Sequence, residues 1–514
     1  MTLREPADHA MVRDLDEAAG SPRPRAPRWL FGCAAVGFIG MVLIVLGAAQ
    51  PDSPFTSKLP GSWLFGIPGH EEATGGGGWL GLLLVSVGIV LVLAGWYWLV
   101  TLLSGSGLSV KSLAVVFAAW VAPLMAAPPL FSRDVYAYAA QGQLAARGFS
   151  PYRQPVATLG NSPFLHLVDP LWRTVHTSYG PFFIDLAKAD VIVMGHNLLG
   201  SVEILRLLCL LGVVLVAVSV PSLARSYGYD PSVAFALAVL NPLVLLQLIG
   251  GAHNDAIMIG LLVAGIAVAR AHRPVVGIVL CSLGAMVKIP GLIGVIYIAW
   301  MWAGTGATRL RRLNLLVESC LIAVAVMAAV SVVSGYGWGW TTNVNEPGHV
   351  VSWLDPATAL GLVLAHISQS VGAGQHAHEL VNGARLVALV AAGVFSVVML
   401  LRSERLTVPR ALGWSLLVIV FLGPIVWPWY ETWGLVFLAV IAQGWTRRAV
   451  FVLSGAACFA TVPSHLSVSP RQWLLMAFVL AALVAVLVGV SVRVGQSTAG
   501  RRADVQAAAR RGLM

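Results

Sequence analysis

Charged residues are scarce in this sequence. Asp, Glu, Lys and Arg make up 11% of its 514 residues, whereas 58% are hydrophobic. A soluble core cannot hide that much apolar surface, so the composition excludes a soluble protein and indicates an integral membrane protein. Apolar runs of roughly 18 to 24 residues recur between Trp29 and Val492, and about 20 such residues cross a bilayer as a helix. The expected fold is therefore an all-α membrane protein.

Cysteine pairs and nucleotide-binding loops are also missing. The five cysteines all lie inside apolar runs, where a thiol behaves as a small hydrophobe, and their spacing fits neither a disulfide framework nor a zinc site. No Gly-rich phosphate loop is present, which argues against a nucleotide-linked substrate. Asp14 and Asp16 form a DLD motif, but this motif lies in the N-terminal tail, which is predicted to be disordered. His376 and His378 lack helical spacing. Neither pair therefore indicates a metal site. We expect no metal and no other cofactor.

Basic residues form no single patch, although the net charge is +10. They lie in short clusters that follow successive apolar segments, which is the pattern by which positive charge keeps a loop in the cytoplasm. This distribution argues against nucleic acid binding. It assigns to the cytoplasm the clusters at 225, 270–273, 309–312, 402–405, 447–448 and 501–511.

The basic clusters predict about fourteen transmembrane helices, within a range of about 13 to 16, in one polytopic domain over 29–492 of a plasma-membrane protein. The predicted spans are 29–49, 79–102, 112–130, 199–222, 232–250, 255–270, 274–288, 291–304, 314–334, 382–401, 410–427, 431–445, 448–463 and 471–492. A disordered tail (1–28) and a basic tail (493–514) are both assigned to the cytoplasm. Two long loops, 131–197 and 335–381, fall on the exterior face.

The loop 131–197 contains an apolar segment that carries three charges. Asp185, Lys188 and Asp190 would each cost about 2.5 to 3.5 kcal/mol near the centre of a membrane helix. We therefore predict short amphipathic helices at 134–147 and 181–195, lying in the interface, rather than a further span. The segment 355–378 is interpreted in the same way.

The pair Arg133-Asp134 stands where the apolar run 113–130 leaves the membrane. Asp134 can cap the next helix, and its spacing alone favours that role. A partly desolvated carboxylate beside Tyr136 and Tyr138 can also act as a general base on a hydroxyl. The spacing leaves both interpretations open.

The sequence His253-Asn254-Asp255 lies between two apolar segments. Asn254 or Asp255 can cap the following helix. Three consecutive polar groups at this depth are costly, however, unless they face a cavity or a ligand. Both interpretations remain open.

Lys288 lies at a turn between two short apolar segments, where Pro290 and Gly291 break the helix. Its ammonium can reach the membrane interface as a surface charge. It can equally bind a phosphate that arrives from the lipid side. Arg133 and Arg153 are the other cations of the exterior loop that could do so.

The segment WPWYETW (427–433) is typical of the aromatic belt at a membrane interface. Trp429 and Glu431 also fit a sugar site, where an aromatic ring contacts a pyranose face and a carboxylate accepts hydrogen bonds from its hydroxyls. The belt is the simpler interpretation of this segment.

Five motifs, FSRDVYAYAAQG, GFSPY, TSYGP, LNPLVLLQLIGGAHNDA and AMVKIPG, spread over 131–291. Together they resemble the actinobacterial polyprenyl-phosphate-mannose-dependent α-1,6-mannopyranosyltransferases (the MptA/MptB family of the GT-C superfamily). The resemblance implies a multi-span GT-C fold whose active site lies in exterior loops. It also implies an inverting transfer of mannose from polyprenyl-phosphate mannose to the 6-hydroxyl of a growing α-1,6-mannan on a phosphatidylinositol mannoside or related glycolipid, in lipomannan and lipoarabinomannan core synthesis.

The resemblance makes Asp134 the expected catalytic base, in place of a cap. The expected phosphate-binding residues are Arg133, Arg153 and Lys288. The expected substrate-binding residues are Tyr136, Tyr138, Tyr152, Tyr179, His253, Asn254, Asp255, Trp429 and Glu431. The expected partners are the lipid-linked donor, the glycolipid acceptor and membrane lipids. The alternatives are another polyprenyl-phosphate-sugar transferase of this fold and a lipid or secondary transporter, in which Asp255 and Lys288 would form a coupling pair.

Overall fold

The computed structural model describes residues 27–50, 63, 79–343, 346, 350–351, 355–370, 376–460, 471, 474–475 and 477–489, and every regular element among them is helical. This confirms the all-α membrane fold. The predicted tails at 1–28 and 493–514 lie outside the described residues, apart from 27 and 28.

The described helices follow one another along the chain. The first are α1 (Arg28–Ala48), α2 (Trp79–Leu103), α3 (Val110–Ala126), α4 (Asp134–Ala146), α5 (Pro163–His166), α6 (Pro170–Arg173), α7 (Pro181–Val193), α8 (Leu198–Ser226), α9 (Pro231–Ala238) and α10 (Asp255–Arg270). The others are α11 (Pro274–Ala285), α12 (Ile293–Ala303), α13 (Arg309–Val333), α14 (Pro356–Ser370), α15 (Ala377–Leu401), α16 (Ser403–Leu406), α17 (Val408–Phe421), α18 (Thr432–Val440), α19 (Gly444–Ala460) and α20 (Ala477–Gly489). Shorter 3-10 turns lie at Val156–Leu159, Ile289–Leu292, Gly339–Asn343 and Pro428–Glu431, and a π-helical segment at Val244–Gly250.

Five helices of the described part are long and apolar enough to cross a membrane, namely α1, α2, α8, α13 and α15. The π-helical segment and α10 would make a sixth span together, although the two are bent by 118° at the break between them. A multi-span protein is therefore confirmed, whereas the count of about fourteen spans stays a prediction.

Two predicted spans contain breaks. Residues 232–250 contain most of α9, an interruption and then the π-helical segment, and 431–445 contain the nine residues of α18 and the start of α19. Such short pieces leave backbone groups and polar side chains at their ends, which must find partners inside the protein. Several of these ends meet around the site described below.

The predicted helices at 134–147 and 181–195 are both present, as α4 and α7. The two helices pack against each other, and both contact α8. Residues 135–145 of α4 are buried on every face, so α4 is an internal helix and does not have the amphipathic surface that was predicted. In α7 the buried positions include 183, 184, 187 and 191, which is the spacing of one helix face.

Buried tryptophans join the first helices to the rest of the bundle. The indole N–H of Trp120 in α3 donates to the carbonyl of Ala34 at 2.9 Å, and that of Trp96 in α2 donates to the carbonyl of Ala236 at 2.7 Å. Each bond satisfies the single polar group of a large apolar side chain, so the ring can stay buried.

Candidate active site

An open cleft lies where α4, the segment 172–179, the turn at Lys288 and the segment 427–430 meet. Asp134, Ala137 and Gln141 line it from α4, at the i, i+3 and i+7 positions of one helix face. The cleft therefore collects residues from segments that are spread over residues 134–430.

Asp134 is the first residue of α4, and its side chain is 14% exposed. The hydrogen bond at this helix start comes from Ser132, whose hydroxyl accepts from the Asp134 N–H at 3.1 Å. Burial raises the pKa of the Asp134 carboxyl, while the neighbouring His253 and Lys288 act to lower it. A carboxyl with a raised pKa at the edge of a cleft is a candidate acid or base.

His253 lies behind Asp134, in the break between the π-helical segment and α10. Its Nε2 is 3.9 Å from Oδ2 of Asp134, and its Nδ1 donates to the carbonyl of Gln247 at 2.7 Å. Its ring stacks on that of Trp429, with centroids 3.9 Å apart and planes at 21°. The ring is completely buried and held on two sides.

Asp255 and Lys288 form an ion pair in the wall of the cleft. The Lys288 ammonium is 2.9 Å from both carboxylate oxygens of Asp255, and the indole N–H of Trp433 donates to Oδ1 of Asp255 at 2.6 Å. Asp255 is completely buried, so its charge needs these partners.

Aromatic rings surround the Lys288 ammonium. The nitrogen lies 4.1 Å from the centroid of the Tyr430 ring, 5.4 Å from that of Trp433 and 5.9 Å from that of Tyr179. Cation–π contacts of this kind stabilise an ammonium by about 0.5 to 2 kcal/mol each. An ammonium has three N–H donors and Asp255 takes two, which leaves one for a ligand in the cleft.

The turn before Lys288 is fixed by close contact with the start of α7. The Gly180 N–H donates to the carbonyl of Val287 at 3.2 Å. A Cβ at Gly180 would lie 2.1 Å from the carbonyl oxygen of Met286, so only glycine fits there. The motifs TSYGP and AMVKIPG thus position each other.

Three tyrosines of the loop 131–197 brace the cleft. Tyr138 stands edge-on to Tyr179, with centroids 5.2 Å apart, and its hydroxyl donates to Oδ1 of Asn254 at 3.5 Å. The hydroxyl of Tyr152 donates to the carbonyl of Tyr179 at 2.9 Å. The amide of Asn343 in turn donates to the carbonyl of Tyr152 at 2.9 Å, which attaches the second long loop to the first.

The structure thus brings eight of the predicted site residues into one region: Asp134, Tyr138, Tyr179, His253, Asn254, Asp255, Lys288 and Trp429. Tyr152 does not line the cleft but contacts the cleft residue Tyr179 through its hydroxyl. Their binding and catalytic roles stay predictions.

The other four predicted residues lie elsewhere, and none is among the described residues that line the cleft. Arg133 precedes α4, and Tyr136 faces Arg206 and Glu203 of α8. Arg153 is exposed on a turn. Glu431 is buried towards Cys458, and burial raises the pKa of its carboxyl to about 8.

Sequence reasoning missed several cleft residues. Gln141 accepts a hydrogen bond from the hydroxyl of Thr177 at 3.1 Å, and His176 lies 3.9 Å from Glu346. Helical periodicity from Asp134 could have found Gln141. The sequence analysis also missed Arg206, a fully buried arginine in α8, although a charge inside an apolar run itself indicates a functional or structural site.

The described residues contain no group of three or more metal-ligating side chains, and the absence of a metal stays a prediction.

Comparison with known proteins gives a consistent result. A family model described as alpha-(1->6)-mannopyranosyltransferase, N-terminal domain, matches residues 34–304, and one described as MptB C-terminal domain matches 357–491. The chain is 32% identical to alpha-(1->6)-mannopyranosyltransferase A of Mycobacterium tuberculosis over 84% of each chain. It is 28% identical to alpha-(1->6)-mannopyranosyltransferase B of Corynebacterium glutamicum, over 90% of this chain and 80% of the relative. No solved structure matches.

Proposed function

The chain belongs to the alpha-(1->6)-mannopyranosyltransferase family of glycosyltransferases, and from this premise we propose how and on what it acts. It transfers mannose from polyprenyl-phosphate mannose, with inversion, to the 6-hydroxyl of an α-1,6-mannan carried by a glycolipid, in lipomannan and lipoarabinomannan core synthesis. The observation that carries the proposal is a single cleft lined by both a desolvated carboxylate, Asp134, and a partly exposed ammonium, Lys288.

Asp134 is the proposed general base. Because burial raises its pKa, its carboxylate is a stronger base than an exposed aspartate. It takes the proton of the acceptor 6-hydroxyl while that oxygen attacks C1 of the mannose from the face opposite the phosphate. The new C1–O6 bond forms as the C1–O bond to the phosphate breaks, which inverts the configuration at C1.

Lys288 is the proposed phosphate-binding residue. Its ion pair with Asp255 and the rings of Tyr430 and Trp433 fix the ammonium at the cleft wall. A fixed positive charge stabilises the phosphate as it leaves, without reorganisation at the moment of reaction. Arg153 is exposed and outside the cleft, which supports Lys288 over Arg153 for this role.

The acceptor is proposed to occupy the part of the cleft beside Trp172, His176, Glu346 and Trp427. Indole rings can contact the apolar faces of pyranoses, and the His176 and Glu346 side chains can bind hydroxyl groups. This arrangement would leave the region between Asp134 and Lys288 for the donor mannose.

An exterior active site is part of the proposal. Helix α10 begins at Asp255 beside the cleft and ends at Arg270, and α8 carries Arg225 in its last turn. Both helices thus carry their basic clusters at the end away from the cleft. Because such clusters favour the cytoplasm, this polarity supports a cleft on the outer face and cytoplasmic termini.

The test is mannosyl transfer in membranes from labelled polyprenyl-phosphate mannose to a short α-1,6-mannoside. Wild type is expected to transfer, and Asp134→Asn at matched expression is expected to lose at least about 100-fold in rate, as typical for loss of a general base. Asp169→Asn is the matched control, because Asp169 caps α6 in the same loop and asparagine caps equally well.

Full activity of Asp134→Asn would overturn the assignment of the base. Absence of transfer by wild type, together with movement of the lipid-linked sugar across vesicles, would favour a transporter instead.

A further inference from the structure

We propose that His253 is a positioning residue for this reaction: carrying a proton on Nε2, it keeps the Asp134 carboxylate ionised and able to accept the acceptor's proton. The proposal rests on the proposed function, since it supplies a partner for the base assigned there. Sequence reasoning gave His253 a different role, the binding of sugar hydroxyls.

The Nδ1 atom of His253 faces a hydrogen-bond acceptor. This atom lies 2.7 Å from the carbonyl oxygen of Gln247, and a carbonyl oxygen can only accept. Nδ1 therefore carries a hydrogen. Nε2, the other ring nitrogen, then presents either a lone pair or a second N–H to its surroundings.

The Nε2 atom of His253 faces the Asp134 carboxylate. It is buried, has no hydrogen-bond partner within the described part of the protein, and lies 3.9 Å from Oδ2 of Asp134. A lone pair in this position would oppose the lone pairs of an ionised carboxylate. A proton on Nε2 gives an attractive imidazolium–carboxylate pair, which a hydroxyl or a small closure of the gap can complete.

The summed charge of the buried cluster also favours an imidazolium at His253. Asp255 and Lys288 neutralise each other in a 2.9 Å ion pair, so an ionised Asp134 would leave one uncompensated negative charge in a buried region. Burial lowers the pKa of His253, whereas the Asp134 carboxylate and the Gln247 carbonyl act to raise it. An imidazolium at His253 makes the total charge zero. The remaining titratable groups that face the pair are the phenols of Tyr138, Tyr179 and Tyr430, whose pKa values burial raises well above the usual range, so they stay neutral.

The His253 ring is held rigidly by its neighbours. His253 is stacked on Trp429, and its carbonyl accepts from the thiol of Cys209 at 3.2 Å. A Cβ at Gly251 would lie 2.7 Å from Cε1 of His253. The intervening Ala252 has a φ of 52°, a left-handed conformation that costs about 1 kcal/mol or more outside glycine. The chain thus holds a strained loop that fixes this ring against Asp134.

One proton moves in the proposed reaction, from the acceptor hydroxyl to Asp134. The O–H bond of the acceptor breaks and a new O–H bond forms at Asp134, while the Nε2–H bond of His253 stays intact. Asp134 is partly exposed to the cleft and returns its proton there after the products leave. His253 contacts neither sugar, and its effect is on the ionisation of Asp134.

The test is the pH dependence of kcat/KM for mannosyl transfer in wild type and two variants. His253→Asn can keep a donor where Nδ1 binds Gln247 but removes the group at Nε2, whereas His253→Gln offers a neutral N–H near Nε2. Without the imidazolium the pKa of Asp134 rises, so the acidic limb of the profile is expected to move up by about one pH unit or more. The shift should be larger for Asn than for Gln, and raising the pH should restore much of the rate.

His366→Gln is the matched control, since His366 is exposed on α14 and its substitution should leave the profile unchanged. Tm and gel-filtration profiles establish that the two His253 variants are folded. Lower rates with an unmoved acidic limb would show that His253 only supports packing and would overturn the proposal. Unchanged rates would also overturn it.

A second measurement needs no folded His253 variant. The infrared difference between wild type and Asp134→Asn isolates the carboxyl of Asp134, and an ionised carboxylate is expected at pH 7.5. A protonated carboxyl band at that pH would overturn the proposal even if wild type transfers mannose. Failure of wild type to transfer would instead remove the proposed function, and this proposal with it.

Discussion

The Lys288 ammonium lies 2.9 Å from both carboxylate oxygens of Asp255, 33 positions away in the sequence. This ion pair joins the start of α10 to the turn after α11, and it places a positive charge at the cleft wall. Of the two partners only Lys288 is in part exposed, so the pair presents its cation to the cleft.

Removing Lys288 is expected to weaken donor binding. A charge-assisted hydrogen bond contributes about 1.5 to 3 kcal/mol, so Lys288→Met should raise KM for the lipid-linked donor roughly 10- to 100-fold. It should also destabilise the protein by about 3 kcal/mol, because Asp255 is left as a buried, unpaired charge.

The double variant Lys288→Met with Asp255→Leu is expected to recover much of the stability and none of the donor affinity. Thermal unfolding and donor titration separate the two effects. Glu404→Gln, which disrupts the Arg312–Glu404 ion pair between α13 and α16, is the control. Normal donor KM in Lys288→Met would contradict the assignment of Lys288 to the phosphate.

Gly180→Ala is expected to displace the turn that carries Lys288. Its Cβ would lie 2.1 Å from the Met286 carbonyl, which is backbone and cannot swing away. The free energy of unfolding should fall by about 2 kcal/mol and the transfer rate should fall with it. Gly393→Ala in α15, where a Cβ meets no neighbouring atom, should be neutral or slightly stabilising. Equal behaviour of the two variants would refute the contact.

Trp172→Ala is expected to affect the acceptor and spare the donor. Loss of about 1 kcal/mol of aromatic contact should raise KM for the mannoside roughly fivefold, with donor KM unchanged. Initial rates over a matrix of both substrate concentrations would measure this. Trp445→Ala, 70% exposed at the start of α19, is the control. A change in donor KM alone would show that Trp172 contacts the donor mannose and not the acceptor.

Asp190 is expected to destabilise the protein as the pH rises. Burial raises its pKa from 3.8 to about 7, so between these values the folded protein binds a proton that the unfolded chain has released. Stability due to this group is therefore present at low pH and is lost as the pH rises from about 4 to 7. Asp190→Asn should raise Tm more at pH 8 than at pH 5. An equal change in Tm at both pH values would show that Asp190 is ionised in the folded protein at low pH.

The sequence motifs predicted most of the residues that meet at the site, but not the contacts between them. Asp255 and Lys288 each had two open interpretations until the fold paired them. Arg153 and Glu431 had the right chemistry for a sugar-phosphate site, yet both lie outside the cleft. The sequence could not show this, because loop and turn residues carry no periodic signal of the direction in which they point. Gln141 could have been found from its helical spacing with Asp134.

Composition and charge by themselves determined that this is an all-α membrane protein, because apolar runs of bilayer length have only one way to satisfy their backbone polar groups. The motifs determined the family. Tertiary structure alone decided that α4 is internal, that His253 faces Asp134 and that Lys288 is held by Asp255. Those relationships arise from contacts between segments far apart in the chain, whose energies depend on burial and distance, and neither quantity is encoded in local sequence.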